Sequence, residues 1–247
     1  MSTRMAWVGL LRHGQSTGNV AREEAESDGR EVIDIAERDA DVPLTPLGEE
    51  QAEAAGEWLA RSPVDLVVAS PYRRAAETAR IALAAASRQG APVPREPVID
   101  ERLRDRELGV LDLLTTRGVR ERWPDELRRK QRLGKFYYRP PGGESWADVV
   151  LRVRPLLREL HADAAGKRVL FVAHEMTVFT LRYLLEGVPE PELLRAASRT
   201  EVANGSITGW SAEPDGRYRL TEEQETVHLH ATATEPTEDD DAAASLT

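Results

Sequence analysis

The amino-acid sequence predicts an α/β fold built around a mostly parallel sheet. Short apolar runs rich in strand-forming residues occupy residues 5–11, 64–70 and 167–173, and each precedes a segment whose apolar residues recur with helical spacing. Strands that alternate with helices in this way are typical of βαβ units, in which successive strands run parallel. The chain has 247 residues, which is enough to bury a complete core.

The first half of the chain supplies the clearest of these units. The run MAWVGLL at 5–11 leads to a glycine turn and predicts a buried strand, whereas the polar, acidic residues 21–43 predict an exposed excursion. Thr45 can cap a helix that has Pro46 in its first position. After the strand predicted at 64–70, an alanine-rich stretch that starts with proline predicts the next helix.

The second half repeats the pattern after an interruption. Ser145 and Asp148 have the spacing of a capping box and precede a helical apolar face, within which Pro155 is expected to cause a kink. Another buried strand follows, with His174 at its end. Residues 100–143 fit the alternation poorly and predict an inserted lid, which includes the basic and aromatic stretch RLGKFYYRPPGG.

The composition excludes several kinds of site and partner. The chain contains no cysteine, which excludes disulfides, thiolate nucleophiles and cysteine-ligated zinc. A formal net charge of −10 argues against nucleic acid and anionic membranes as partners. No stretch approaches the ~20 consecutive apolar residues of a membrane span, and no signal-peptide pattern is present, so we expect a cytoplasmic location.

We predict a single domain over residues 1–230 with the lid-like segment inserted, followed by an acidic tail. Residues 231–247, ATATEPTEDDDAAASLT, contain few large apolar side chains and are expected to be disordered. His228 and His230 have no matching carboxylate spacing for a metal site, and we expect them in a terminal strand or a solvated tail. The sequence predicts no metal ion and no cofactor.

Polar groups suited to an anion follow the predicted strands. Arg12 and His13 follow the first strand, residues 70–74 follow the second, and His174 follows the later one. Ligands of open parallel sheets bind beyond the carboxyl ends of the strands, so these groups are expected to converge. Each group alone is typical of an ordinary loop, a solvated charge or a structural histidine. Together they place two arginines and two histidines near helix starts.

Such a cluster suits the transfer of a phosphoryl group. The moving group spreads negative charge over three oxygens, which arginine side chains and the N–H groups of helix starts can bind. A neutral imidazole can attack phosphorus to give a phosphohistidine, which water then cleaves. A carboxylic acid of raised pKa can protonate the leaving oxygen. This scheme requires no metal ion.

The chain resembles the histidine phosphatase superfamily, also called phosphoglycerate mutase-like. Five stretches occur in that family's order and cover about residues 5–210: LLRHGQSTGN, LTPLGEEQA, VVASPYRRAAETA, PPGGESWADVVLRV and VLFVAHEMTV. The resemblance implies the family's fold, which has three αβα layers around a mostly parallel sheet. It also implies that His13 is the phosphorylated nucleophile. Three further residues would complete the phosphate pocket: Arg12, Arg73 and His174. Others would contact the phosphate or the substrate: Ser16 or Thr17, and Asn19.

The general acid of the family is usually a glutamate four residues before a glycine. Counting back from Gly109 in RLRDRELGVL places Asp105 at that position, and Glu107 is the alternative. Both carboxylates could instead be solvated partners of the neighbouring arginines. The family also often has glycine after its second histidine, where this chain has Glu175. A carboxylate there repels phosphate unless it points away or meets a cationic part of the substrate.

Three functions follow from the resemblance. We predict a metal-independent phosphatase that hydrolyses phosphate monoesters of small molecules. The family's mutases carry a Gly-Leu-Asn-Lys run after the acid, where this chain has GVLDLLTTRG, so a cofactor-dependent phosphoglycerate mutase is the alternative. A non-catalytic phosphate-binding module is the second alternative. The expected partner is a small phosphorylated substrate, and a homodimer is possible. Lys135 and Arg139 are expected either at a substrate mouth or in a packed lid.

Overall fold

A six-stranded sheet lies at the centre of the molecule, in a computed structural model that describes residues 4–232 and 234–237. Its strands are β1 (Trp7–Arg12), β2 (Leu66–Ala69), β3 (Val98–Ile99), β4 (Arg168–Ala173), β5 (Ile207–Ala212) and β6 (Tyr218–Glu225). They lie in the order β3-β2-β4-β1-β5-β6. The first four strands run parallel, and β5 and β6 are antiparallel to their neighbours. The prediction of a mostly parallel α/β sheet is confirmed.

Helices cover both faces of the sheet, which gives the three αβα layers implied by the family resemblance. They are α1 (Thr17–Ser27), α2 (Pro46–Arg61), α3 (Arg73–Arg88), α4 (Thr116–Arg122), α5 (Pro124–Leu133), α6 (Trp146–Asp163), α7 (Glu175–Leu181), α8 (Glu190–Ala197) and α9 (Val227–Ala231). One π-helical turn, Arg182–Glu186, follows α7 directly. In the described part of the chain, no helix combines the length and apolarity that crossing a bilayer demands.

Each face of the sheet carries its own apolar core, because successive residues of a strand point to opposite sides. In β1, Trp7 and Leu11 pack in the core beneath α2 and α3, whereas Val8 and Leu10 pack in the core beneath α6 and α7. Full burial of one such side chain contributes roughly 1.5–3 kcal/mol. Because β1, β2 and β4 are each anchored on both faces by buried side chains, the two cores hold the ends of these parallel strands in fixed positions.

Two predicted helix starts are confirmed by their capping contacts. Thr45 accepts a hydrogen bond from a backbone N–H in the first turn of α2, and Pro46 is the first residue of that helix. Ser145 and Asp148 form a reciprocal capping box at the start of α6. These local signals set where the helices leave the sheet.

Pro155 lies inside α6 without ending it. The proline ring removes one N–H, and the carbonyl that would have accepted its hydrogen bond belongs to Leu151, four residues earlier. The Leu151 residue is 64% exposed, so its carbonyl lies on the face that water can reach. The helix therefore continues past the proline to its end at Asp163.

The acidic segment at 21–43 is less exposed than its composition predicts. α1 occupies its first part, and both Ile33 and Val42 are buried. The Ile33 N–H donates to the carbonyl oxygen of Leu113 at 2.9 Å, which joins this segment to the lid-like segment. A few apolar residues among many charges thus attach the excursion to the body of the protein.

The lid-like segment, residues 100–143, folds into α4, α5 and several tight turns. It has a small apolar cluster of its own, whose buried members are Leu111, Leu114, Val119 and Tyr138. Phe136 packs into the core beneath α6. The segment is therefore a packed part of the structure that borders the strand ends.

Residues 227–232 and 234–237 are more ordered than predicted. His228 lies in α9, is buried, and its Nε2 is 2.8 Å from the carbonyl oxygen of Gly205, so the expectation of a terminal strand or solvated tail is wrong for this residue. The Asn204 N–H donates to the carbonyl oxygen of Thr237 at 2.7 Å. The predicted disorder from residue 231 therefore does not hold for residues 234–237. Residues 233 and 238–247 lie outside the described residues.

Candidate active site

Three polar segments meet at one edge of the sheet, where β1, β2 and β4 end. Arg12 in β1 lies opposite Ala173 in β4, so the residues that follow them, His13 and His174, leave the sheet side by side. Their rings meet edge to face, with centroids 5.2 Å apart. Ser70 follows the adjacent β2, and its Oγ lies 2.8 Å from His174 Nε2. The structure therefore brings the strand-end residues together.

His13 presents one ring nitrogen to the pocket. Its Nδ1 lies 2.8 Å from the carbonyl oxygen of Gly14, which can only accept, so Nδ1 carries the proton and Nε2 carries the lone pair. The Arg74 Nε–H donates to that Nε2 at 3.3 Å. Burial, followed by the charges of Arg74, His174 and Arg12, lowers the pKa of His13 well below its usual value. The imidazole is therefore neutral and oriented as a nucleophile requires.

The loop that carries His13 is held by close backbone contacts. The Gly14 N–H donates to Thr78 Oγ1 at 3.0 Å. A Cβ atom at Gly14 would lie 2.3 Å from the carbonyl oxygen of Gly48, at the start of α2. Because that contact is with backbone, a side chain at position 14 would displace the loop. The glycine of the RHG triplet is thus required by the approach of α2.

Two buried arginines place their guanidinium groups near His13. Arg12 is buried at the end of β1, and its Nη1 donates to the carbonyl oxygen of Val202. Arg74 is also buried, and its Nη1 lies 2.8 Å from Asp39 Oδ1 while its Nη2 lies 3.2 Å from Asp105 Oδ2. These contacts hold both guanidinium groups beside the nucleophile, where they can bind the oxygens of a phosphoryl group.

The structure does not place Arg73 in the pocket, and Arg74 takes the position expected for it. The Arg73 side chain is 54% exposed and its Nε lies 2.8 Å from Glu77, whereas the Arg74 side chain is 6% exposed. Consecutive helical residues are about 100° apart, so only one of the pair can face the site. The i, i+4, i+7 spacing of polar residues is typical of a solvent-exposed helix face, and the sequence shows it at Arg73, Glu77 and Arg80. This spacing predicts that Arg73 faces solvent.

His174 is oriented by Ser70. The Ser70 Oγ accepts a hydrogen bond from the Tyr72 N–H at 3.2 Å, and we assign its own proton to the hydrogen bond with His174 Nε2. This assignment leaves the single ring proton of neutral His174 on Nδ1, which lies 3.2 Å from Asp105 Oδ2 without forming a hydrogen bond to it. Burial, and then the charge of Arg74, lowers the pKa of His174, so a neutral N–H donor faces the pocket.

The two candidate acids occupy different places. Asp105 Oδ2 lies 3.2 Å from both His174 Nδ1 and Arg74 Nη2, and the side chain is 27% exposed. The Glu107 side chain is 51% exposed, accepts a hydrogen bond from the Tyr72 hydroxyl at 3.0 Å, and lies 4.0 Å from the Arg104 guanidinium. Asp105 is therefore in the cluster itself, and Glu107 lies at its edge.

Of the three residues near α1 that are expected to contact phosphate, the structure brings two to the pocket. Ser16 is the N-cap of α1 and forms a capping box with Asn19, and both residues line the pocket. Thr17 is exposed and is absent from the pocket wall, so of the two hydroxyl candidates the structure brings Ser16 to the site. The N-terminus of α1 adds partial positive charge on this side of the pocket.

The pocket widens beyond these groups between loops and the lid-like segment. Its outer wall combines apolar side chains with several carboxylates and the guanidinium of Arg22. Glu175 lines it as the first residue of α7, where the helix dipole favours a carboxylate. Lys135 and Arg139 do not line it. Lys135 lies over the Trp146 ring, and Arg139 pairs with Asp148, as in a packed lid.

Sequence comparison links the chain to enzymes that act on phosphate esters. It is 34% identical to the glucosyl-3-phosphoglycerate phosphatase of Mycolicibacterium vanbaalenii over 194 residues, covering 73% of this chain and 74% of that protein. It is 33% identical to the 2,3-bisphosphoglycerate-dependent phosphoglycerate mutase of Methylobacterium radiotolerans over 197 residues, covering 78% and 85%.

Solved structures with the same fold include a phosphatase with a bound oxyanion. The complex of mycobacterial glucosyl-3-phosphoglycerate phosphatase with VO3 has a TM-score of 0.66 and 30% identity, covering 90% of this chain and 100% of that one. Bacillus stearothermophilus YhfR has a TM-score of 0.69 and 25% identity, covering 90% and 98%. The model of the histidine phosphatase superfamily (branch 1) matches residues 8–222, and the chain belongs to that superfamily.

Proposed function

We propose that the protein is a phosphatase that hydrolyses phosphate monoesters of small molecules through a phosphohistidine at His13. The observation that carries the proposal is the orientation of His13. Its Nδ1 is engaged by the Gly14 carbonyl, and its Nε2 faces the Arg74 guanidinium inside a buried cluster. If His13 only closed a structural loop, nothing would require its imidazole to be buried, neutral and flanked by two arginines. The proposal includes a small phosphorylated substrate and a cytoplasmic location.

In the first step, His13 Nε2 attacks phosphorus and the ester P–O bond breaks. Arg12, Arg74 and the Nδ1–H of His174 bind the phosphoryl oxygens as charge moves onto them. The leaving oxygen takes a proton from a carboxylic acid, and Asp105 is closest to the reacting groups, with Glu107 as the alternative. This step requires the acid to carry its proton when the P–O bond breaks.

In the second step, water attacks phosphorus and the P–N bond breaks. The Asp105 carboxylate left by the first step accepts the proton of the attacking water, which restores the acid. The bond electrons return to His13 Nε2, and inorganic phosphate leaves. Each bond that the cycle changes is made or broken by groups of this chain and water, so the mechanism needs no metal ion and no organic cofactor.

The mutase alternative is supported by the relatives that carry that name. A bisphosphorylated sugar acid would bring several negative charges into the outer pocket. That region contains the carboxylates Glu37, Glu107, Asp112 and Glu175 and an apolar wall that includes Ile35 and Leu108. Repulsion from these carboxylates favours a substrate with one phosphate, and hence hydrolysis over mutase activity.

The test compares the wild-type protein with His13→Ala. We expect the wild-type protein to hydrolyse p-nitrophenyl phosphate in the presence of a metal chelator and His13→Ala to lose at least about 10³-fold in kcat/KM. Acid quenching during turnover should yield acid-labile, base-stable phosphate on the wild-type protein only. Wild-type turnover in His13→Ala would show that another residue is the nucleophile.

A screen of phosphorylated metabolites then separates the three functions. Release of inorganic phosphate supports the phosphatase. Isomerisation of a phosphoglycerate, dependent on a bisphosphorylated primer, would support the mutase. Binding of phosphate without turnover of any ester would support the binding module. Glucosyl-3-phosphoglycerate belongs in the screen because of the named phosphatase relatives.

A further inference from the structure

Two buried amide side chains fix the backbone on either side of Gly14. Asn204 Nδ2 donates to the carbonyl oxygen of His13 at 3.1 Å, and Gln51 Oε1 accepts the N–H of Gln15 at 2.8 Å. Both Asn204 and Gln51 are fully buried. The carbonyl before Gly14 and the N–H after it thus each have a side-chain partner, and the pair determines how the nucleophile loop sits on the sheet.

The other ends of both amides are bound by one short segment near the end of the chain, residues 234–237, which we call the C-terminal strap. Gln51 Nε2 donates to the carbonyl oxygen of Glu235 at 2.8 Å and to Thr237 Oγ1 at 3.2 Å. Thr237 Oγ1 donates to Asn204 Oδ1 at 3.1 Å, and the Thr237 carbonyl oxygen accepts the Asn204 N–H at 2.7 Å.

The donors and acceptors of this network fit in only one arrangement. Rotating the Gln51 amide by 180° would place its NH2 against the Gln15 N–H and its oxygen against the Glu235 carbonyl oxygen. The Thr237 hydroxyl has one proton, which it gives to Asn204, and it accepts from Gln51. The strap therefore sets the orientation of both amides, and the amides set the position of the His13 loop.

Loss of the strap contacts would leave polar groups of Gln51 and Asn204 buried without protein partners. A buried donor or acceptor without a partner costs about 1–3 kcal/mol, so these side chains would turn toward other partners or admit water. Either response releases the backbone around Gly14. Small displacements of a nucleophile lower turnover strongly, because attack requires alignment with the phosphorus centre.

We propose that the C-terminal strap is a positioning element of the active site, in which Thr237 acts through Gln51 and Asn204 on the His13 loop. The strap lies beyond residue 222, where the match to the superfamily model ends. The inference rests on the proposed function, because it assigns a consequence for turnover. All three are positioning residues. Gln51 and Asn204 contact the backbone of the nucleophile loop, Thr237 contacts these two amides, and none of the three lines the pocket.

The test uses Thr237→Val in the full chain, which removes the hydroxyl while keeping the shape and the backbone contacts. We expect kcat for p-nitrophenyl phosphate to fall about tenfold with KM within twofold of the wild-type value. Thr237→Ser, which keeps the hydroxyl, should restore kcat. Thr221→Val is the matched control, because the Thr221 hydroxyl in β6 contacts the Gly209 carbonyl and the Glu222 side chain, which belong neither to the strap nor to the His13 loop.

A second readout does not depend on turnover. In Thr237→Val the Gln15 amide should exchange its hydrogen at least about tenfold faster than in the wild-type protein, since its acceptor is no longer held. Unchanged kcat and unchanged exchange in a folded Thr237→Val protein would overturn the inference, as would an equal loss in Thr221→Val. If the wild-type protein shows no phosphatase activity, the proposed function fails, and the exchange of Gln15 still decides whether the strap holds the loop.

Discussion

The inner and outer parts of the same pocket are built differently. The inner part, formed by Arg12, His13, Arg74 and His174, follows the ends of parallel strands and is buried. The outer part is formed by α1, the loop that follows it and the lid-like segment, and includes Arg22, Glu37, Asp112 and Leu113, which are exposed or half-buried. Strand ends are held by two apolar cores, whereas the outer residues depend on a few local contacts.

This difference suggests a division of labour between the two parts. In the inner part each guanidinium and imidazole already has its orientation before a substrate arrives, which is what stabilisation of a transferred phosphoryl group requires. The outer part can bind the body of the substrate, and its contacts are expected to affect KM more than kcat. Substitutions in the two parts should therefore differ in size and in the kinetic constant that they change.

Among the substitutions that compare the two parts, the largest effect is expected for Arg74→Ala, set against Arg73→Ala in the neighbouring residue. Arg74 contacts His13 Nε2 and Asp105, so its removal should lower kcat/KM for p-nitrophenyl phosphate by about 10²–10³-fold. Arg73 is paired with Glu77 on the exposed face of α3, and its removal should change kcat/KM by less than about twofold. For both variants, kcat/KM is measured by steady-state kinetics and the affinity for vanadate by inhibition.

The comparison of the two arginines fails if their effects are reversed or equal. A large loss in Arg73→Ala, with a folded protein, would mean that α3 presents a different face to the pocket. Because the two residues are adjacent and carry the same charge, neither net charge nor general electrostatic attraction of the substrate can account for a difference between them.

A smaller and more selective effect is expected for Asp105→Asn. An acid is needed most when the leaving oxygen is basic, so the variant should lose about 10²-fold with an alkyl phosphate and less than about tenfold with p-nitrophenyl phosphate. Glu107→Gln is the matched control at the edge of the cluster. If Glu107→Gln shows the leaving-group dependence and Asp105→Asn does not, Glu107 donates the proton.

The sequence predicts the inner part of the pocket far better than the outer part. Arg12, His13 and His174 could be placed because apolar strands and parallel pairing determine where their side chains emerge. The prediction of Arg73 in place of Arg74 is wrong by one residue along α3. The spacing of the polar residues of α3 indicates that Arg73 faces solvent and that Arg74 faces the pocket. Asp105 lies in an irregular loop, and the sequence identifies it as a candidate only through the family resemblance, which implies an acid four residues before Gly109.

Features that depend on contacts between distant segments could not be obtained from the sequence. Ile33 and Val42 lie in a stretch whose acidic composition predicts exposure, but they are buried against segments far along the chain. The C-terminal strap has a composition typical of disorder, and its contacts with Gln51, Asn204 and the end of α9 explain its order. Composition predicts whether a segment would be ordered in isolation. These two segments are ordered because they contact specific residues elsewhere in the chain.

The smallest effect is expected in the outer part, for Arg22→Gln. The buried Nη1 atom of Arg22 has no hydrogen-bond partner among residues 4–232 and 234–237, and the residue lines the pocket one helical turn after Asn19. Burial, and then the charge of Asp39, raises the pKa of Asp112, and the nearby Arg22 opposes that rise. The Arg22 guanidinium is thus able to bind an oxygen on the body of a substrate.

We expect Arg22→Gln to raise KM for a phosphate ester that carries a carboxylate, such as 3-phosphoglycerate, by about tenfold, because a hydrogen bond to a charged group contributes about 1.5–3 kcal/mol and exposure reduces it. KM for phenyl phosphate, which lacks a second oxygen group, should stay within twofold. Arg38→Gln removes the same charge from an exposed residue outside the pocket and should change neither value. A fall in kcat for phenyl phosphate in Arg22→Gln would mean that α1 also positions the reacting groups, and the boundary between the two parts would then lie beyond Arg22.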